Sequence, residues 1–303
     1  MAAKGLNVMV AISVVVTAPI GVDACRYLDA LLEQAGSDPF EVLVIDGSSS
    51  IASPLPDGVR HVAAPGQGIQ ALIARGVREA SFDWILVTED HCRPLPGMID
   101  AYRRAVRDNP QADLFSGAAE NLTSTSPWSF AVFLLGLGDQ WPPQGFHRAS
   151  TSNANMLVRR NAVHADENAK DGGLLNLTVP RLTDAGHHMH CRDAVVDHIL
   201  NLSPAGAFAF QFGCSSSATA VSRAIAEERP LAMQLLRDLA DLGYTPLRLL
   251  SERAPHVRGS LPYRLGMMAR LAALGFTSAL AICSVDLKRV FRREVREGLR
   301  TAS

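Results

Sequence analysis

The residues best placed for chemistry are Glu89 and Asp90, adjacent carboxylates that follow the apolar run Leu86-Val87-Thr88. Hard oxygen ligands at the end of a buried strand suit Mg²⁺ or Mn²⁺ bridging a diphosphate. The plainer reading of the pair is a strand end with solvated acids. Asp46 closes a second apolar run, Phe40-Glu41-Val42-Leu43-Val44-Ile45. A carboxylate there can accept a hydrogen bond from a base N–H or a ribose hydroxyl. Asp46-Gly47-Ser48 is equally a good turn sequence, in which the carboxylate folds back on its own backbone. A third run, Ala194-Val195-Val196-Asp197, ends in His198. Its neutral imidazole could ligate Mn²⁺ or a softer metal, or be structural. His187, His188 and His190 precede Cys191, but only His188 and His190 share one face of a strand, too few ligands for a zinc set. Gly66-Gln67-Gly68-Ile69-Gln70-Ala71 has the form of a dinucleotide fingerprint. It follows the third strand rather than the first, and a tight turn into a helix is the simpler account. The sequence contains no nucleophilic triad signature, Walker loop or H-E-x-x-H.

Elements must position these side chains. Val8 to Thr17, Phe40 to Ile45, Val59 to Ala63 and Trp84 to Thr88 read as strands. Asp23 to Gln34, Gly68 to Ala80 and Pro96 to Arg107 read as helices. Such alternation implies a mostly parallel sheet covered on both faces. Ligands on these sheets bind beyond the carboxyl ends of the strands, where Thr17, Asp46, Glu89 and Asp90 stand. Ala154 to Arg159 and Met189 to Ile199 read as extended, and Trp141 to Gly145 as a loop. After about residue 203 strands give way to helical periodicity, so a boundary is placed near 205: an α/β domain over 1–205 and a helical region over 206–303.

The chain has 303 residues, 48% of them hydrophobic and 19% charged, enough for a sizeable core. Lys plus Arg (29) nearly balances Asp plus Glu (30), which argues against a whole-chain grip on nucleic acid. Five Cys without a C-x-x-C pair suit reduced thiols and a cytoplasmic setting. Leu6 to Ile20 could pass for a signal-peptide core, but its β-branched Ser13-Val14-Val15-Val16-Thr17 followed by helical periodicity reads as strand then helix. Leu271 to Val285 is uncharged but short of the roughly 20 residues a spanning helix needs. The basic run Lys288, Arg289, Arg292, Arg293, Arg296 follows it. Two readings stand for the tail. Either its apolar stripe simply packs on the α/β domain, or the tail is an appendage that rests on the inner, anionic membrane face or builds an acceptor site.

Taken in order, these runs resemble the family 2 glycosyltransferases of GT-A fold. Ser13 to Thr17 looks like that family's opening strand, and Phe40 to Ser48 like its second strand with the nucleotide-binding Asp. Thr88-Glu89-Asp90-His91-Cys92-Arg93-Pro94-Leu95-Pro96-Gly97 looks like its metal motif. Ser152 to Arg160 is similar to its acceptor-side strand, and Arg181-Leu182 with Gly186 through Val196 and His198 to its closing motif. The match covers roughly residues 10–200.

The resemblance implies an α/β GT-A fold, a Rossmann-like mostly parallel sheet flanked by helices with a C-terminal helical appendage. It implies transfer of a hexose from a nucleotide-sugar donor to a carbohydrate or lipid-linked acceptor, helped by a divalent cation, Mn²⁺ or Mg²⁺. Asp46 would hold the base or ribose, with Thr17 and Glu89 beside it. Asp90 would bind the metal, and His198 would complete its shell or contact the diphosphate. Three departures stand out. Thr88 replaces the first Asp of the usual D-x-D. The family's base position falls on Leu174 and Leu175, so Asp171, the nearer of the acids Glu167 and Asp171, becomes the expected base of an inverting transfer. Ile73-Ala74 replaces an Arg-Asn pair, with Arg75 nearby. These departures keep open a second class of function, a non-catalytic GT-A-like protein that binds a nucleotide or a partner.

Overall fold

The computed structural model describes residues 9–19, 27–48, 55–141, 151–164, 173–225, 257 and 259–301. The chain divides into two compact units. The first comprises the described residues up to Thr123 together with Asp139–Ile199, and the second comprises Ser124–Gly138 with the described residues from Leu200 onward.

The first unit is built on β1 (Ile12–Ala18), whose seven residues are all buried. A β-branched run of this kind is what a central strand covered on both faces demands. Beside it lie β2 (Phe40–Asp46), β3 (Val59–Ala63) and β4 (Trp84–Glu89). The sheet is completed by β5 (Cys92–Pro94), β6 (Leu114–Glu120), β7 (Asn155–Arg159) and β8 (His188–His198). The eight strands run in the order β3-β2-β1-β4-β7-β6-β8-β5. β1 pairs in parallel with β2 and β4, as β2 does with β3 and β6 with β8. The β4–β7, β6–β7 and β5–β8 pairs are antiparallel.

Successive side chains on a strand face opposite ways. Val15, Leu43, Ile45, Ile85, Val87, Leu114, Met156 and Val158 share one core with Leu72, Ile73 and Val77 of α2 (Ile69–Glu79) and with Val179 and Leu182 of α5 (Val179–Asp184). Gly76 lets α2 approach this closely, since a Cβ there would overlap Val15. On the alternate parity, Asn155 meets Tyr102 of α3 (Met98–Asp108). The short α1 (Leu28–Leu32) buries Leu28 and Leu31.

The strand order reverses between β1 and β4. From β1 the chain builds outward through β2 and β3, then returns to place β4 on the other side. Such a switch point opens a crevice at the carboxyl ends of the two strands, and this is where open α/β sheets bind ligands. Thr17 pairs with Glu89 there, and the amide of Asp90 donates to the carbonyl of Thr17 at 3.1 Å.

In the second unit, α4 (Pro127–Leu137) starts with Ser126 as its cap and Pro127 in its first turn. It packs with α6 (Pro204–Ile225) and α7 (Leu261–Thr301). Within α7, the 22 residues Leu261–Ile282 have the length and composition of a membrane-crossing helix. The count thus begins ten residues before the uncharged run at Leu271, taking in Arg264 and Arg270. Met267, Leu271, Leu274 and Ala281 of the same stretch are buried within the unit. A soluble core helix passes the same length and composition test.

Candidate functional site

The turn between β4 and β5 brings the site together. Glu89 ends β4, Cys92 opens β5, and β5 pairs with β8 so that Cys92 lies opposite His198. The amide of Ile199 donates to the carbonyl of His91 at 3.0 Å, which fixes the turn against the end of β8. Asp197 anchors the same strand end. It is fully buried, accepts from Arg93 at 2.8 Å and from the Leu122 amide at 2.8 Å, and takes the Thr123 hydroxyl at 2.5 Å.

Glu89, His91, Cys92 and His198 each offer one donor atom, and these atoms lie within 4.8 Å of one another. Nε2 of His91 stands 3.0 Å from Nε2 of His198 and 3.3 Å from Oε2 of Glu89. His198 Nε2 is 3.9 Å from the same oxygen. Asp90 lies outside this set: its Oδ1 accepts from Nδ1 of His91 at 2.9 Å. The rings of His91 and His198 meet edge-on at 4.6 Å.

The charges follow from these contacts. Burial alone would lower the pKa of His91, but the hydrogen bonds and charges of Asp90 and Glu89 outweigh it and hold the ring at about 10. His198 is pushed well below the usual histidine value by burial and by the charge on His91. His91 is therefore an imidazolium that donates to Asp90 from Nδ1, while its Nε2–H lies between Glu89 and the neutral His198. Burial, with Glu89 and Asp90 beside it, pushes the Cys92 thiol well up, so its sulfur is a weak, neutral donor. The donor set fits a divalent cation. Two nitrogens 3.0 Å apart match neighbouring positions around one ion with Zn–N-type bonds of about 2.1 Å. A cation taking His91 must displace the proton that now sits between the three side chains.

The other expected residues fall as follows. Asp46 is buried at the end of β2 and forms the turn its sequence allows: its Oδ1 accepts from the Ser48 amide at 2.8 Å and the Ser48 hydroxyl at 2.7 Å. Its Oδ2 faces Nε2 of the half-exposed His61 at 3.2 Å. Burial would raise its pKa, but the Ser48 and His61 bonds hold it below the ordinary carboxylate value. Thr17, expected beside the nucleotide, has no exposed surface and donates its hydroxyl to the Thr88 carbonyl at 3.2 Å. Thr88, where the resemblance leads us to expect an Asp, is also buried and donates to the Ala154 carbonyl at 2.9 Å. Arg75 pairs with Glu79 at 2.8 Å.

Leu174 is buried and Leu175 packs against the same core, so neither position offers a base. Asp171 and Glu167 lie outside the described residues, as do 142–150, which take in all but the first residue of the expected loop Trp141 to Gly145. His188 and His190 do share a face, their rings 5.1 Å apart, but His188 is held by the hydroxyls of Ser116 at 2.6 Å and Thr183 at 2.9 Å. Gly68 caps α2 and Gly66 takes φ +75°, so the G-x-G run is a turn into a helix beside the edge strand β3. Sequence reasoning missed His91 and Cys92 as donors. The available signal was that a histidine two positions past Glu89, in a strand-to-strand turn, can swing back onto the same point.

No family model and no curated protein matches the chain. Solved structures do. The mannosyltransferase PcManGT from Pyrobaculum calidifontis, in complex with GDP-Man and Mn²⁺, superposes with a TM-score of 0.56 at 15% identity, over 91% of this chain and 87% of its own. Glucosyl-3-phosphoglycerate synthase from Mycobacterium tuberculosis, in complex with UDP, gives a TM-score of 0.45 at 16% identity, over 72% of this chain and 82% of its own. With the mannosyltransferase this chain shares its fold, the mixed α/β sheet and flanking helices of the GT-A class.

Proposed function

We propose that this chain is a metal-assisted glycosyltransferase that moves a hexose from a nucleotide-sugar donor to an acceptor hydroxyl. The observation that carries the reading is the convergence of Glu89, His91, Cys92 and His198 at the switch point of a GT-A sheet. The fold is shared with a mannosyltransferase solved with GDP-Man and Mn²⁺, which supports the reading by analogy. Glu89, His91, Cys92 and His198 would hold a divalent cation, which would supply positive charge to offset what builds on a leaving nucleoside diphosphate.

The chain's own residues do the rest. Asp46 accepts from the donor's base or ribose at Oδ2, once the half-exposed His61 gives way. Thr17 serves the same end indirectly, by fixing the β1–β4 edge through its hydroxyl and carbonyl. In an inverting transfer a base must take the proton of the acceptor hydroxyl. We assign that role to Asp171. Incubation with GDP-, UDP- and dTDP-sugars and Mn²⁺ should release free nucleoside diphosphate, and Glu89→Gln should slow that release about a hundredfold.

A second reading is a GT-A-like protein that binds a nucleotide or partner without turnover. The burial of Leu174 and the packing of Leu175, at the family's base position, favour it. It predicts donor binding with no nucleotide release from any of the three donors. We also place the helical unit at an anionic lipid surface, on the strength of an apolar stripe exposed along α7: Leu261, Leu265, Phe276 and Leu280.

A further inference from the structure

We propose that His91, rather than Asp90, is the ligand the β4–β5 turn contributes to the cation, with Asp90 as the positioning residue behind it, so that a two-imidazole, one-carboxylate set selects Mn²⁺, Co²⁺ or Zn²⁺ over Mg²⁺. The inference rests on the reading that this site takes a divalent cation, and it names which cation and which ligands.

The geometry separates the two side chains. Nε2 of His91 points at the shared point, 3.0 Å from His198 and 3.3 Å from Glu89. Asp90 approaches from behind, on Nδ1 at 2.9 Å, while its backbone amide is tied to Thr17 at 3.1 Å. A carboxylate on the far nitrogen of a ligating imidazole fixes the tautomer and aims the ring. Glu89 and His91 are two residues apart, and the turn brings both onto one point. Asp90, between them, faces the other side of the ring.

The donor chemistry then sets the choice of ion. Imidazole suits Zn²⁺ and the later first-row ions, with Mn²⁺ the weakest of that series, whereas Mg²⁺ favours oxygen ligands and retains several waters. His198 is 6% exposed and Cys92 3%, which leaves little room on that side for a hydrated ion.

The test is calorimetric titration of the full chain with Mn²⁺, Co²⁺, Zn²⁺ and Mg²⁺, joined to pulsed electron paramagnetic resonance of bound Mn²⁺. The wild type should bind at least one of the first three about tenfold or more tightly than Mg²⁺. Bound Mn²⁺ should show coupling to two imidazole nitrogens. His91→Ala should lower Mn²⁺ affinity about a hundredfold or more and leave one coupled imidazole. Asp90→Asn should lower it only about tenfold and keep both. His91→Gln replaces the alanine variant if thermal melting shows that variant unfolded. Loss of binding in Asp90→Asn with affinity retained in His91→Ala would overturn the assignment, and so would Mg²⁺ binding as tightly as all three of Mn²⁺, Co²⁺ and Zn²⁺. Failure of the wild type to bind any of the four ions overturns the parent reading, and this one with it.

Discussion

Asp197 touches no donor atom of the site, yet it holds His198 in place. Its buried carboxylate satisfies Arg93, the Leu122 amide and the Thr123 hydroxyl at once. Asp197→Ala removes the shared acceptor of the Arg93 guanidinium, the Leu122 amide and the Thr123 hydroxyl, all within reach of solvent, and should cost about 1–3 kcal/mol in denaturant unfolding, with Asp197→Asn costing less. His188 makes a prediction of different sign. Burial, with His190 beside it, lowers its pKa from 6.5 to about 4, so the folded protein keeps it neutral between two hydroxyls. The unfolded chain binds this proton at a higher pH than the folded one. Its contribution to stability is therefore full above pH 6.5 and is lost as pH falls toward 4. His188→Gln should flatten that part of the pH–stability curve, read as denaturation midpoints between pH 7 and pH 4. An unchanged curve would show that the buried imidazole is not what titrates. At this scale Glu89 and His198 stood out as candidates because each closes an apolar run, with Glu89 expected beside the nucleotide and Asp90 at the cation. His91 was not, because its role depends on a turn that folds it back beside a residue 107 positions away.

At the scale of elements, β8 joins β6 with an irregularity at Gly117/Ala118. Opposite Gly117 stands Cys191, and opposite Ala118 stands Val195, so extra residues of β8 leave the ladder there. Asn155 repairs it: its amide donates to the carbonyls of Ala118 at 2.9 Å and Ala194 at 2.8 Å, while its oxygen accepts from the Tyr102 hydroxyl at 2.7 Å. Gly117 is the position that leaves room for this network, since a Cβ there would overlap both Asn155 and the Tyr102 hydroxyl. Gly117→Ala should therefore cost about 2 kcal/mol or more, seen as a lower melting temperature, because two buried carbonyls lose their donor. Asn155→Ala should cost a similar amount, and the pair together less than the sum. The parallel strands of the first half were legible as β-branched runs. Leu114–Glu120 was not read as a strand, because Ser116-Gly117-Ala118-Ala119 lacks the bulk of a strand signature. Those small residues are needed where Asn155, Tyr102 and Gln140 crowd the backbone. Helix α4 was missed for the opposite reason: Trp128-Ser129-Phe130-Ala131-Val132-Phe133 is apolar on all sides and shows no period.

At the scale of the molecule, the fold could be read from the order of motifs, whereas the membership of Ser124–Gly138 in the helical unit could not. That grouping depends on packing with α6 and α7, far along the chain. The exposed stripe Leu261, Leu265, Phe276 and Leu280 should carry the protein into the pellet with anionic vesicles at low salt. Replacing Leu265 and Phe276 with Ser should return it to the supernatant, and sedimentation indifferent to vesicles would assign the helices to packing alone. The central claim concerns the other unit, a cation site that serves a nucleotide-sugar. The most direct measurement is a thermal-shift titration with GDP-, UDP- and dTDP-sugars, each with and without Mn²⁺. A donor at a hundred times its Kd stabilises by about 2.7 kcal/mol, enough to raise the melting temperature by about 5 °C or more. At least one donor should give such a rise, larger with Mn²⁺ than without and reduced in His198→Ala. No shift with any donor, in the presence or absence of Mn²⁺, would contradict the claim.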